Sequence, residues 1–191
     1  MLEALLTSTA IVALAEIGDK TQLLAIVLAA RFKRPWPIVL GILVATLANH
    51  FLAALAGSMA ADWFGGPWFR YAVALGFLAM AAWTLVPDTF EDDEAPPASQ
   101  RGAFLTTLVA FFLVEMGDKT QIATIALGAR FHDALAVTMG TTLGMMLANV
   151  PAVLLGGELV KRVPLALVRT LAALLFAALG LWLLLATAGV L

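Results

Sequence analysis

The sequence predicts an all-α integral membrane protein, with six transmembrane helices forming two inverted-topology three-helix repeats. Three observations lead there. The 191 residues are 62% hydrophobic and only 13% charged, with a mean hydropathy of +0.98. A soluble domain carries about 25% charged residues, so this chain has too few to solvate a surface. Six apolar stretches meet the roughly 20 residues that a helix needs to cross a hydrocarbon core. Finally, segments of the first half recur in the second at an offset of 99 residues.

The same composition excludes other classes. A cytosolic enzyme or a disordered chain would carry more charge. A formal charge of −2 leaves no polycationic face for nucleic acid. With no cysteine there is no disulfide framework and no thiolate metal site.

Taken in order, the first segment spans about 4–30. Ala13-Leu14-Ala15 resembles a signal-peptide cleavage site, but Glu3 stands where a basic region belongs. Residues 1–15 are therefore expected to be retained. The second segment, 35–61, and the third, 67–87, have Trp36, Trp63 and Trp68 at their ends, where amphipathic rings favour the membrane interface. Residues 88–102 follow, with Asp88, Glu91, Asp92, Asp93 and Glu94 beside Pro96 and Pro97. This composition predicts a solvated acidic linker, not a helix in lipid; weak capture of cations is its livelier alternative. The remaining segments fall at 103–130, 134–159 and 163–189. The first, second, fourth and fifth exceed what a bilayer needs, so they must tilt, break or project into water.

Lysine and arginine set the expected orientation. The loops after segments one, three and five hold Arg31, Lys33, Arg34, Arg101, Lys161 and Arg162, with Arg169 nearby; the opposite side has Arg70 and Arg130. The first group is expected in the cytoplasm together with the linker, and both termini outside.

The repeat is clearest where Glu16-Ile17-Gly18-Asp19-Lys20-Thr21-Gln22 returns as Glu115-Met116-Gly117-Asp118-Lys119-Thr120-Gln121. From Glu16 to Phe32, 11 of 17 positions are identical at that offset. Gly41, Arg70, Phe77 and Trp83 match Gly140, Arg169, Phe176 and Trp182; Ala48-Asn49 matches Ala148-Asn149 with one residue inserted. The chain therefore reads as one transport domain made of two units, 1–87 and 103–191. Because each unit has an odd number of spans, the second enters the membrane from the other side, as in many secondary transporters.

Each heptapeptide puts Glu, Asp and Lys at mid-membrane. Charged residues at a helix centre cost roughly 2.5–3.5 kcal/mol each on insertion scales, so six facing lipid would cost on the order of 15–20 kcal/mol. They must meet one another, water or a ligand inside the protein. On a continuous helix Glu16, Asp19 and Gln22 share a face, and Lys20 can pair with Glu16. Gly18 and Gly117 permit close helix approach or local unwinding. If the repeats meet, Glu16, Asp19, Glu115 and Asp118 converge. Four carboxylates and two lysines leave a net −2, which matches one divalent cation.

Oxygen donors suit calcium, magnesium and manganese. Thr21, Gln22, Thr120 and Gln121 are candidate neutral donors or polar caps. Asn49 and Asn149 can complete coordination or tie helices together. Lys20 and Lys119 are counter-ions, or occupy the carboxylates when the cation leaves. His50 and His132 have no histidine partner in the other repeat, which argues against zinc or copper; His50 reads as a core histidine or a local pH-sensitive group. A structural ion-pair network explains a Glu–Lys pair but not the additional Asp19 and Asp118. Excess buried carboxylate is relieved by a divalent cation or by protons, which is the chemistry of an exchanger.

The paired Glu-x-Gly-Asp-Lys-Thr sequences resemble the hallmark of the Gdt family of calcium and manganese cation/proton exchangers. The resemblance spans six segments, two motifs and an acidic central loop. It implies exchange of manganese or calcium for protons, with export from the cytoplasm. By this resemblance Glu16, Asp19, Glu115 and Asp118 bind the metal, and Gly18, Gly117, Lys20, Lys119, Thr21 and Thr120 fill the other motif positions. Organellar members carry an N-terminal targeting extension not seen here, so a bacterial inner membrane is the expected location. No resident cofactor and no enzymatic activity are expected; the partners are the cation, protons and the bilayer. Kindred amino-acid exporters share the six-helix plan, so export of a small organic solute is the alternative. An intramembrane aspartyl protease would need a Tyr-Asp motif, but the only tyrosine is Tyr71, followed by Ala72. A purely structural membrane protein is the remaining reading.

Overall fold

The computed structural model describes residues 1–87, 102–156 and 163–190. Of the expected linker 88–102, residues 88–101 lie outside the described residues, as do the end of the fifth segment, Lys161 and Arg162, while Gly102 opens a helix. The described residues are all-helical: α1 (Leu2–Glu16), α2 (Lys20–Phe32), α3 (Pro35–Phe64), α4 (Pro67–Thr84), α5 (Gly102–Glu115), α6 (Lys119–Phe131), α7 (Ala134–Leu155) and α8 (Leu165–Thr187). Three of them, α3, α7 and α8, are each long and apolar enough to cross a bilayer.

The first and fourth sequence segments are not single helices. Each is two half-helices interrupted at the heptapeptide, and the local residues explain why. Glu16 and Glu115 end α1 and α5. Gly18 and Gly117 then adopt φ of +83° and +82°, a left-handed conformation that strains any residue with a Cβ. Asp19 and Asp118 follow as extended N-cap residues of α2 and α6. The Gln22 side-chain oxygen accepts from Gly18 N at 2.9 Å, and Gln121 likewise accepts from Gly117 N at 2.7 Å. Asp118 completes a reciprocal cap by accepting from Gln121 N at 2.8 Å. An acid at the N-cap with glutamine three residues on is the logic of a capping box. The heptapeptide is therefore a stop–turn–start signal. This corrects the expectation of a continuous helix with Glu16, Asp19 and Gln22 on one face.

The distribution of polarity fits a lipid-facing exterior. Leu40, Leu47, Leu52, Leu143, Leu147 and Leu174 are exposed, while Glu16, Asp19, Glu115, Asp118 and Lys119 are buried. A water-soluble protein would invert this arrangement. Trp36, Trp63 and Trp68 are exposed at helix ends, as expected for interfacial rings.

Repeat-equivalent helices pack alike. α1 lies on α7 and its counterpart α5 lies on α3; α3 meets α7 and α4 meets α8. The matched glycines serve the first two contacts. A Cβ on Gly41 would sit 2.9 Å from Phe104 O in α5, and one on Gly140 would sit 2.5 Å from Leu5 O in α1. Only a missing side chain allows such approach. The matched Phe77 and Phe176 stack on each other with ring centroids 6.5 Å apart. Two apolar clusters flank the breaks. One gathers Val12, Leu24, Leu28, Ile42 and Phe111, the other Ile11, Phe77, Leu127 and Phe176. They carry α2 and α6 respectively, so the two inner half-helices leave the centre through different packing. The halves also differ: α6 packs extensively along α3 and also touches α4, while α2 touches α7 less extensively.

Candidate cation site

The two breaks meet. Each of Glu16, Asp19 and Asp118 offers a carboxylate oxygen within 4.8 Å of the others, and all three are buried. Two come from the first heptapeptide and one from the second, so neither half contains the cluster alone.

Glu16, fully buried, is the most heavily held. It accepts hydrogen bonds from Thr21 Oγ1 at 2.6 Å, from Thr120 Oγ1, and from Asn149 Nδ2 at 3.4 Å. These donors lie on α2, α6 and α7, so three elements fix one carboxylate. The Asn149 amide also donates to Met145 O at 3.1 Å. Asp118 uses one oxygen to cap α6, and its other oxygen, Oδ2, is buried without a hydrogen-bond partner among the described residues. Asn149 Oδ1 and Glu115 Oε1 are also buried without such partners. Orphaned acceptors normally cost free energy, and three such oxygen acceptors occur around these breaks. That is the donor set a hard cation takes.

Glu115 occupies a different place from its repeat counterpart. It is fully buried and 3.1 Å from His50 Nε2, and it is not in the group of three. The aligned residue in the other half is Val150, so this contact breaks the repeat. His50 is fully buried, in keeping with a core histidine, and its ring faces a motif carboxylate.

The lysines separate too. Lys119 Nζ donates to Val86 O at 3.0 Å and lies 5.9 Å from the centre of the Trp83 ring. Lys20, half-buried, is an electrostatic neighbour of Asp118. The expected Lys20–Glu16 pair is not made, because the break removes the i, i+4 relation. The two glutamines act as braces. Gln22 Nε2 donates to Ala148 O at 2.9 Å, and Gln121 Nε2 donates to Asn49 Oδ1 at 2.5 Å. Asn49 in turn donates to Phe112 O at 3.3 Å. Asn49 thus ties α3 to α5 and α6, whereas Asn149 reaches the carboxylate itself. Sequence reasoning had no signal for Val86 or Trp83 as lysine partners, since both belong to α4 and its end. His50 was visible only as the neighbour of Asn49.

Comparison with known families adds an independent finding. The profile described as "Divalent cation/proton antiporter GDT1" matches residues 4–92 and 103–190, nearly the whole chain. The chain belongs to the GDT1 family. Among curated relatives, a Vibrio cholerae protein named "Putative manganese exporter" is 49% identical over 177 residues, covering 92% of this chain and 88% of that protein. GDT1-like protein sll0615 of Synechocystis is 30% identical over 196 residues, covering 92% and 94%. GDT1-like protein 5 of Arabidopsis thaliana is 28% identical over 218 residues, covering 95% of each chain. No solved structure matches. The family is one of transporters, so this GDT1 protein is a multi-pass membrane protein concerned with cation transport.

Proposed function

We propose that this GDT1 protein is a secondary antiporter that exports Mn²⁺ or Ca²⁺ from the cytoplasm in exchange for protons. The observation that carries the reading is the buried meeting of Glu16, Asp19 and Asp118 within 4.8 Å at the junction of two broken helices. Three close carboxylates repel one another unless a cation or protons neutralise them. A divalent ion and protons therefore compete for the same oxygens, and that competition couples their fluxes. Thr21, Thr120 and Asn149 orient Glu16, while Asn49, Gln22 and Gln121 hold the breaks at fixed geometry. Glu115 belongs to the same site as a fourth acid beside His50. Lys20 supplies the counter-charge next to Asp118 when the cation has left.

The alternation of access follows from the repeat. We read residues 1–87 and 103–191 as inverted three-helix units with six spans in total, the half-helices of each broken segment together crossing the membrane. Two near-equal halves can exchange inward- and outward-facing packing around a fixed site. The unequal packing of α2 and α6 supports this, since equivalent elements are held differently in one state. The lysine and arginine bias supports cytoplasmic loops after α2 and α7 and external termini, in a bacterial inner membrane. The name of the Vibrio cholerae relative favours manganese as the cargo.

The test is flux in proteoliposomes with an imposed proton gradient. Wild-type protein moves Mn²⁺ or Ca²⁺ against that gradient and dissipates it. Asp118→Asn and Asp19→Asn reduce both fluxes to background. Unchanged flux in either variant, or proton-independent movement of an amino acid, contradicts the reading.

A further inference from the structure

We propose that a cavity at the C-terminal end of α6 binds a phosphate group, carried by an anionic phospholipid or present as the free ion. It lies apart from the carboxylate site, since 13 helical residues separate the ends of α6 by about 18 Å.

The cavity measures about 320 Å³ and lies between the α3–α4 turn, the end of α6 and the end of α8. Its wall includes Arg70, Arg130, His132 and Trp182. A second hollow of about 230 Å³ shares Arg70 and Thr187 with it and adds Pro67. Arg130 is held over the Trp182 ring at 4.3 Å and near the Phe131 ring at 5.2 Å. Stacking of this kind orients a guanidinium without using its N–H donors. Among the described residues Arg130 Nε is buried with no hydrogen-bond partner, and neither Arg70 nor Arg130 makes an ion pair. The nearby acids do not fill the gap. Asp62 is 3.3 Å from His132 Nδ1, and Glu3 acts on Arg130 through space only. Two guanidiniums with unused donors around one cavity match the oxygens of a phosphate, which accepts from both forks.

Two further observations point to the same chemistry. Exposed Trp63, Phe64 and Trp68 surround the α3–α4 turn, and aromatic residues gather at the depth where lipid phosphates lie. Within the sequence, Arg70 and Arg130 are matched by Arg169 and Arg31 at the repeat offset. His132 and Lys33 also correspond, and both take left-handed backbone at φ 51° and 52°. None of these residues is part of the cation heptapeptides, so that function does not account for them.

The experiment uses the purified full chain and reads thermal unfolding in two arms. One compares nanodiscs of phosphatidylglycerol with nanodiscs of phosphatidylcholine. The other adds inorganic phosphate, against chloride at equal ionic strength, in phosphatidylcholine alone. Stabilisation confined to the first arm assigns a lipid headgroup; stabilisation in the second assigns the free ion. In either case Arg70→Gln and Arg130→Gln abolish the shift, while Arg130→Lys keeps part of it. Arg70 is exposed, so Arg70→Gln tests the cavity even if Arg130→Gln fails to fold. No shift in either arm, or a full shift retained in Arg70→Gln, overturns the proposal.

Discussion

At the scale of single residues, one carboxylate has many partners and its neighbours have few. Glu16 takes hydrogen bonds from both heptapeptides and from Asn149. Removing a group that orients a ligand typically costs 10–100-fold in metal affinity, so Asn149→Ala is expected to weaken Mn²⁺ binding by roughly that factor. Isothermal titration of the purified protein measures it. Asn49→Ala removes a brace instead, and is expected to lower thermal stability more than affinity. The pH dependence has a definite sign. Cation binding displaces protons from the shared oxygens, so apparent affinity falls as pH falls. Titrations at two pH values check this, and an affinity that rises in acid contradicts shared oxygens. The residue types at the site were legible in the sequence, because charged groups in an apolar segment are expensive and must have a reason. Their pairings were not. Helical spacing joined Lys20 to Glu16, whereas the break undoes that pairing, leaves Lys20 within electrostatic range of Asp118, and sends Lys119 to Val86 and Trp83.

At the scale of elements, the heptapeptide is first a piece of backbone engineering. Its glycine takes the left-handed turn, its aspartate caps the next helix and its glutamine closes the gap. Gly117 has open space around a would-be Cβ, so Gly117→Ala meets only the backbone penalty of about 1–2 kcal/mol. Gly57 is the opposite case. Its φ is not strained, but a Cβ there would lie 2.0 Å from Ile125 O in α6. Gly57→Ala is therefore expected to force α3 and α6 apart at a cost of about 1–3 kcal/mol. Thermal unfolding of both variants, with far-ultraviolet dichroism to verify helicity, compares the two mechanisms. Segment positions were readable from hydropathy, and α3, α4 and α8 begin and end within a few residues of expectation. The breaks were only one of three options for overlong segments. Periodicity cannot separate a tilted helix from two half-helices, because both bury the same apolar stripe.

At the scale of the whole molecule, the cluster exists only because two halves meet. The matched pairs Gly41 and Gly140, and Phe77 and Phe176, were readable as a repeat. That the two phenylalanines touch each other was not, because sequence offset carries no information about the axis relating the halves. The proposed orientation has a direct consequence. The chain has no cysteine, so a single introduced thiol reports its own side. In intact cells, Asp62→Cys is expected to react with a membrane-impermeant reagent, and Lys33→Cys only after permeabilisation; the reverse pattern inverts the topology. In the proposed mechanism, carboxylates from both halves form one cation site. Manganese binding to the purified protein, followed by electron paramagnetic resonance, tests it most directly. A single saturable site is expected, lost both in Asp19→Asn and in Asp118→Asn. Two independent sites, each removed by only one of these substitutions, would contradict it.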